Sequence, residues 1–170
     1  YLEWKPVTPG LLTYMRSDLI VSQWNNTTKT WNKLGSAVDA TNDDVANFSL
    51  AAKGQKIVIA YDVCHNMPDN NCDGGSHSTH VKMWTGTTWQ QLGGHLCTMN
   101  GGCYPQVALD SNDNPVVVIS NPISDIATPQ GLTAYRWNAG TSSWVQLGSK
   151  LNTYDYVWNP EHNIKIAIDN

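Results

Sequence analysis

Short runs of alternating apolar and polar residues recur along the chain and predict β-strands. Three of these runs end in tryptophan, at 19–24, 80–84 and 132–137. Each is followed by a turn rich in Asn, Gly, Thr and Ser, then by a second Trp, two further residues and Leu-Gly. Alternation with period two around such turn residues is typical of a β-hairpin. The chain therefore contains three copies of one hairpin with a Trp on each arm, and we expect the two rings to pack on one face.

The copies are regularly spaced, which indicates a repeat architecture. The second Trp of each copy is Trp31, Trp89 or Trp144, so the spacings are 58 and 55 residues. A further hairpin lies between copies, at 47–62 and 106–120, with turn residues between its apolar runs. Each unit then has four antiparallel strands, as in a propeller blade. We predict an all-β fold, a β-propeller, with a β-sandwich as the alternative.

The predicted units cover the chain as a single domain. Their approximate bounds are 1–35 (strands B to D, lettered outward from the channel), 47–93 and 105–148, and 163–170 supplies strand A of a shared blade. Three blades do not close a ring, since propellers have about four to eight. Two possibilities stay open: two copies close a six-bladed ring, or the chain is a segment of a longer propeller.

Two stretches carry a resemblance to known repeats. The hairpin W-T-G-T-T-W-Q-Q-L-G at 84–93 and the segment A-L-D-S-N-D-N-P-V-V-V at 108–118 resemble secreted β-propeller repeats of the kelch and Asp-box-like kind. The resemblance covers nearly the whole chain, and it implies the blade architecture.

Charge and hydropathy narrow the class of partner. Charged residues make up 14% of the chain, and the net charge is -4. Average soluble proteins have about 25% charged residues. A net negative charge argues against a nucleic-acid partner, which favours a basic face. The chain has no run of 18 apolar residues, so we expect no membrane-spanning helix.

Cysteines and sequons indicate secretion. The spacings of Cys64, Cys72, Cys97 and Cys103 fit two local disulfides, 64–72 and 97–103, although three pairings are possible and four reduced thiols are the alternative. Disulfides form in oxidising compartments. Glycosylation sequons begin at Asn25, Asn26 and Asn47. We interpret the start at Tyr1, without a signal peptide, as a mature or trimmed product or a piece of a longer protein.

The long connections are predicted to share one face of the propeller. They are 63–79, 121–131, 36–46, 94–104 and 149–162, and they contain or adjoin all four Cys and all five His. Loops on a rigid scaffold are where binding sites are usually built. This one-sided distribution favours an extracellular recognition module.

One of these loops has calcium-loop spacing. Asp69, Asn71 and Asp73 alternate before Gly74, which places oxygen ligands as a Ca²⁺ loop does. Position twelve is His80, where an EF-hand has Glu, and a polar loop without metal is the alternative. Calcium is the candidate cofactor. Imidazoles also suit zinc or copper, and the histidines available for such a site are His65, His77, His80 and His95.

Aromatic and polar loop residues suggest a sugar-binding surface. Aromatic faces suit sugar ring carbons, and polar groups suit hydroxyls. The candidate ligand-binding residues are Tyr104, Tyr154, Tyr156, Trp158, His95 and Asp125. Alternatively, Tyr154, Tyr156 and Trp158 alternate because they form a packed strand, or they fill the end of the channel. The expected partner is a glycan or a cell-surface protein, together with another copy of the chain or a larger parent chain.

Catalysis is less favoured than binding. The long-loop acids, which include Asp43, are scattered and form no evident glycosidase pair, and no G-x-S-x-G motif occurs. We therefore assign no catalytic residue. Two alternatives to recognition remain: a structural subunit that assembles outside the cell by strand exchange, and a part of a glycoside-processing enzyme.

Overall fold

The described residues of the chain form antiparallel β-strands and, within these ranges, no helix. The computed structural model describes residues 1–6, 15–39, 43–65, 76–100, 102–121, 131–152 and 165–168. The strands are β1 (Leu2–Pro6), β2 (Met15–Leu19), β3 (Ser22–Asn25), β4 (Thr30–Lys33), β5 (Asp44–Lys53), β6 (Lys56–His65), β7 (Ser76–Trp84), β8 (Trp89–Gln91), β9 (Thr98–Asn100), β10 (Pro105–Leu109), β11 (Pro115–Asn121), β12 (Gly131–Asn138) and β13 (Ser143–Asn152).

The strands pair with their neighbours in sequence. One sheet has the order β5-β6-β7-β8, with β9 also paired to β7, and another has the order β10-β11-β12-β13. Two smaller sheets pair β1 with β2 and β3 with β4. The predicted all-β fold and the two complete four-stranded units are therefore present.

The first unit is divided where a single strand was predicted. Residues 19–24 were expected to be continuous, but β2 ends at Leu19 and β3 begins at Ser22. Backbone pairing nevertheless continues between them. The Val21 carbonyl accepts from the Leu34 amide at 2.9 Å, as the Val81 carbonyl accepts from Leu92 at 2.8 Å in the second unit. The first unit thus repeats the outer part of the second.

Strand β7 begins earlier than its sequence suggested. His77, Ser78 and Thr79 were assigned to a loop, but they are buried in β7. Their backbone is paired on both sides: Ser78 faces Val63 of β6 and Thr98 of β9. Two of the three buried polar side chains have hydrogen-bond partners: His77 contacts Asp62, and Ser78 contacts His65.

Strand β6 is central to the core. Residues 57–64 are all buried, as a near-continuous apolar run predicts for a strand covered on both faces. One face packs with Leu19 and Val38 of the first unit. The other packs with Val107 and Val117 of the third. The three units are therefore stacked face to face, with the second in the middle.

The tryptophan pairs have the predicted geometry. Each pair is directly opposed across its hairpin. The ring centroids are 5.5 Å apart for Trp24 and Trp31, and the other two pairs, Trp84–Trp89 and Trp137–Trp144, have separations of 5.3 and 5.2 Å. The expectation that both rings share a face is confirmed.

Two of these pairs also cover the Leu-Gly of the preceding unit. Trp89 Nε1 donates to the Leu34 carbonyl at 2.9 Å, and Trp144 Nε1 donates to the Leu92 carbonyl at 2.9 Å. The first ring of each pair lies over the glycine: a Cβ on Gly93 would be 2.9 Å from the Trp137 ring, and Gly35 is equally close to Trp84. We call this two-part arrangement the Trp/Leu-Gly contact.

The β5–β9 sheet and the β10–β13 sheet lie side by side, with β5 and β10 running in the same direction. At one position the Ser49 Oγ of β5 accepts from the Val107 amide of β10 at 3.1 Å. Further along, Lys53 Nζ lies 2.7 Å from Asp113 Oδ1. The short turns therefore lie at one end, which we call the turn end. Strands β6, β9, β11 and β13 finish at the other, which we call the loop end. This arrangement agrees with the predicted grouping of the long connections.

Replacing Gly93 by alanine tests the packing of the Trp/Leu-Gly contact. Gly93 and Gly54 both have positive φ, 63° and 60°, but a Cβ on Gly54 would meet nothing within 4 Å. Gly54→Ala should cost about 1 kcal/mol from backbone strain. Gly93→Ala should cost a further ~1–3 kcal/mol because the Trp137 ring must move. Urea unfolding measures both, and equal losses would contradict tight ring packing.

Candidate functional site

A cluster of polar side chains forms near the loop end of the second sheet. Alternate residues of a strand share a face, so Ser78 and His80 of β7 lie on the same side as Tyr61 and His65 of β6. The pairing of Tyr61 with His80, and of Val63 with Ser78, sets this register. Residues from the segments before β5 and after β8 complete the cluster.

A continuous chain of hydrogen bonds links four of these side chains. Asp43 Oδ2 is 2.9 Å from His65 Nδ1, His65 Nε2 is 2.6 Å from Ser78 Oγ, and Ser78 Oγ is 2.9 Å from His80 Nε2. A carboxylate only accepts, so His65 Nδ1 donates to it. With both rings neutral, Ser78 then donates to His65, and His80 donates to Ser78. The chain thereby fixes the tautomer of each imidazole.

Burial holds His80 in its neutral form. It lowers the pKa of His80 to about 4, and the nearby basic side chains of His95, Lys82 and His65 act in the same direction, while a hydrogen bond with Gln91 opposes them. Lys82 itself has a lowered pKa because it is partly buried, although Asp39 counteracts this. The neutral form agrees with the arrangement above, in which His80 donates to Ser78 through Nε2.

Three aromatic rings follow one another beside these hydrogen bonds, the first two stacked and the third tilted by 48° to the second. The Tyr61 and His80 rings are stacked, with centroids 5.3 Å apart and planes at 16°, and the His95 ring follows at 4.2 Å. Tyr61 is buried in the core, whereas His95 is exposed. The ladder therefore leads from the core to the surface, and its outermost ring is the predicted ligand-binding residue His95.

The opposite face of the same sheet holds a second, buried pair. Asp62 Oδ2 lies 2.8 Å from His77 Nδ1 and accepts from the Cys103 amide at 3.1 Å. Gly102 sits between Asp62 and the Tyr104 ring. This pair attaches the 97–103 loop to the sheet. His77, considered above as a metal ligand, thus has a structural partner, and Tyr104 lies on the other face from His95.

The order Asp43–His65–Ser78 is also that of a carboxylate–imidazole–hydroxyl triad. A nucleophile must reach its substrate, yet Ser78 is 1% exposed and its Oγ already contacts a second imidazole. The arrangement therefore orients His65 and His80. Among the described residues, no group of three or more His, Cys, Asp or Glu side chains is placed to hold a metal ion.

Several predicted site residues can be located in the structure. The disulfide Cys97–Cys103 is formed, with an S–S distance of 2.05 Å, and Cys64 is buried at the end of β6. Of the sequon residues, Asn26 is exposed, Asn25 accepts from the Thr27 amide in the hairpin turn, and Asn47 lies in β5. Glycosylation of these residues stays a prediction.

Other predicted residues lie outside the described part of the chain. They are Cys72, the calcium candidates Asp69, Asn71 and Asp73, and the ligand-binding candidates Asp125, Tyr154, Tyr156 and Trp158. Of the predicted strand A at 163–170, residues 165–168 are described and lie outside the strands. The 64–72 disulfide, the calcium loop and the shared strand stay predictions.

Sequence reasoning missed the hydrogen-bonded chain as a unit. Asp43 was considered only as a scattered acid, and Ser78 was not singled out. The spacing of Ser78 and His80 was a usable signal, because residues two apart in a strand share a face. Using it required knowing that β7 begins at Ser76 and pairs with β6 in this register.

Comparison with known proteins gives no relative. No protein-family model, curated protein or solved structure matches the chain. In the part of the chain that the structure describes, no helix is long and apolar enough to cross a membrane.

The neutral state of His80 predicts a pH dependence of stability. In the unfolded chain His80 has its ordinary pKa of about 6.5. In the native state its pKa is about 4, so between these two values the unfolded chain binds a proton that the native state does not. The His80 contribution is therefore present above pH 6.5 and lost between pH 6.5 and 4. Allowing for solvent screening, we expect it to amount to about 1–2 kcal/mol.

Urea unfolding at several pH values tests this expectation. His80→Gln should flatten the fall in stability between pH 6.5 and 4, because the titrating group is gone. The comparison variant is His95→Gln, which removes the exposed ring but keeps His80; it should retain most of the slope, because burial is the largest cause of the lowered His80 pKa. A wild-type slope retained in His80→Gln would show that other groups carry the acid sensitivity.

Proposed function

We propose that the chain is an extracellular recognition module of the β-propeller type that binds a hydroxyl-rich ligand, such as a glycan, at its loop end. The main support is that the hydrogen bonds from Asp43 to His80 and the row of rings from Tyr61 to His95 share one residue, His80. His80 is therefore linked to the side chains nearest the surface, which are Asp43, His65 and His95.

The cluster suits the recognition of hydroxyl groups. Asp43 and His65 are partly exposed, with side-chain exposures of 31% and 29%, and the Asp43 carboxylate is an acceptor of the kind that ligand hydroxyl groups donate to. The exposed His95 ring offers a flat face against which sugar carbons could pack. Because these groups contact the half-buried His80 directly or through Ser78, they are ordered before a ligand arrives, which reduces the entropic cost of binding.

Repeated contacts between units support the propeller architecture. The Trp/Leu-Gly contact is formed twice with the same atoms, and β5 and β10 lie side by side in the same direction. Inner strands that neighbour one another are expected when blades surround an axis. A disulfide supports an oxidising compartment. Calcium, if bound at 69–73, would lie in the segment that follows β6.

Glycan binding tests the proposal. The wild-type chain is screened on a glycan array, and the best ligand is titrated by calorimetry. His95→Ala should weaken binding by roughly tenfold or more, because a stacked aromatic contact of about 0.5–1.5 kcal/mol and its buried area are lost.

The matched control is Gln90→Ala. Gln90 is an exposed residue of β8 that lies outside the cluster, so its removal should leave affinity unchanged. Unfolding curves show whether each variant is folded. If no glycan binds the wild type, or if His95→Ala and Gln90→Ala bind equally, the proposal is wrong.

A further inference from the structure

Each half of the Trp/Leu-Gly contact occurs three times, but only two contacts are formed among the described residues. The second unit covers Leu34 and Gly35 of the first, and the third unit covers Leu92 and Gly93 of the second. The Trp pair of the first unit and the Leu-Gly of the third are left over.

The unmatched Trp pair is accessible to solvent. Trp24 and Trp31 are 42% and 68% exposed, whereas the four Trp of the other two pairs are partly buried. Trp24 Nε1 donates to Asn26 within its own turn at 3.0 Å. Trp31 Nε1, the equivalent of the donors Trp89 and Trp144, has no protein acceptor in the described part of the chain.

The unmatched Leu-Gly is also open. A Cβ on Gly148 would meet no atom within 4 Å, although its φ of 68° matches those of Gly35 and Gly93. Apolar side chains beside it are exposed: Val145 by 45%, Leu147 by 37% and Leu151 by 65%. The backbone is therefore already shaped for the ring that covers the other two glycines.

We propose that a second copy of this chain completes the contact, with its Trp24 ring over Gly148 and its Trp31 Nε1–H donating to the Leu147 carbonyl. The unmatched Trp pair and the unmatched Leu-Gly are the two halves of the contact that already joins the units inside the chain. A second copy therefore presents the half that each of them lacks. Rings of about four to eight units are closed by propellers. Two copies of the three units give six, which falls in that range, and the pair of copies makes the contact twice.

The proposal rests on the repeated contact and does not depend on ligand recognition. Its test uses single variants of each half. Analytical ultracentrifugation over a wide concentration range should show wild-type particles of twice the 18.8 kDa chain mass. Trp31→Ala and Gly148→Ala should each raise the dissociation constant by roughly tenfold or more, since a packed ring or the space for it is lost.

Gly54→Ala is the matched control for Gly148→Ala. It also places alanine at a positive φ of 60° in open space, so it should lower stability similarly but leave the dimer intact. Unfolding of the dilute monomer shows whether each variant is folded.

Mixing the two interface variants gives the sharper result. When Trp31→Ala pairs with Gly148→Ala, both changes fall in one contact and the other contact is wild type. The mixture should therefore dimerise at concentrations at which each variant alone is monomeric. A monomeric wild type, or a mixture that behaves as the average of its components, would overturn the proposal.

Discussion

The contact between a Trp pair and the preceding Leu-Gly sets the geometry on which the rest of the structure depends. It combines apolar burial with a directional hydrogen bond from an indole to a backbone carbonyl. The glycine is required for two reasons: its φ is positive, and the ring leaves no room for a Cβ. Each hairpin is thereby held at a fixed distance and orientation from the next.

This stacking determines which polar residues must find partners. Since both faces of the second sheet are covered, its buried polar side chains cannot bond to water. Asp62 and His77 meet on one face, and Ser78 joins His65 and His80 on the other. The candidate site is therefore a consequence of placing polar residues in a strand that neighbouring units cover on both sides.

The sequence indicated the repeated elements well and the site poorly. The Trp hairpins and the short 97–103 disulfide follow from local signals, namely period-two alternation, turn residues and close cysteines. The early start of β7 depends on β6 and β9 bonding to its two edges, and the polar run from His77 to His80 conceals it. The bond between Asp43 and His65 joins residues 22 apart, and no local pattern encodes such a distance.

The position of the cluster makes the proposed ligand recognition depend on how the units stack. Tyr61, the innermost ring of the ladder, packs in the core with Leu19 and Val38 of the first unit. Lys82 crosses the same boundary: its Nζ donates to the Val38 carbonyl and lies 5.7 Å from the centre of the Tyr61 ring. Loosening the first unit from the second would thus free Tyr61, then His80, and finally the exposed His95. The same stacking that builds the core therefore keeps the outermost ring in place.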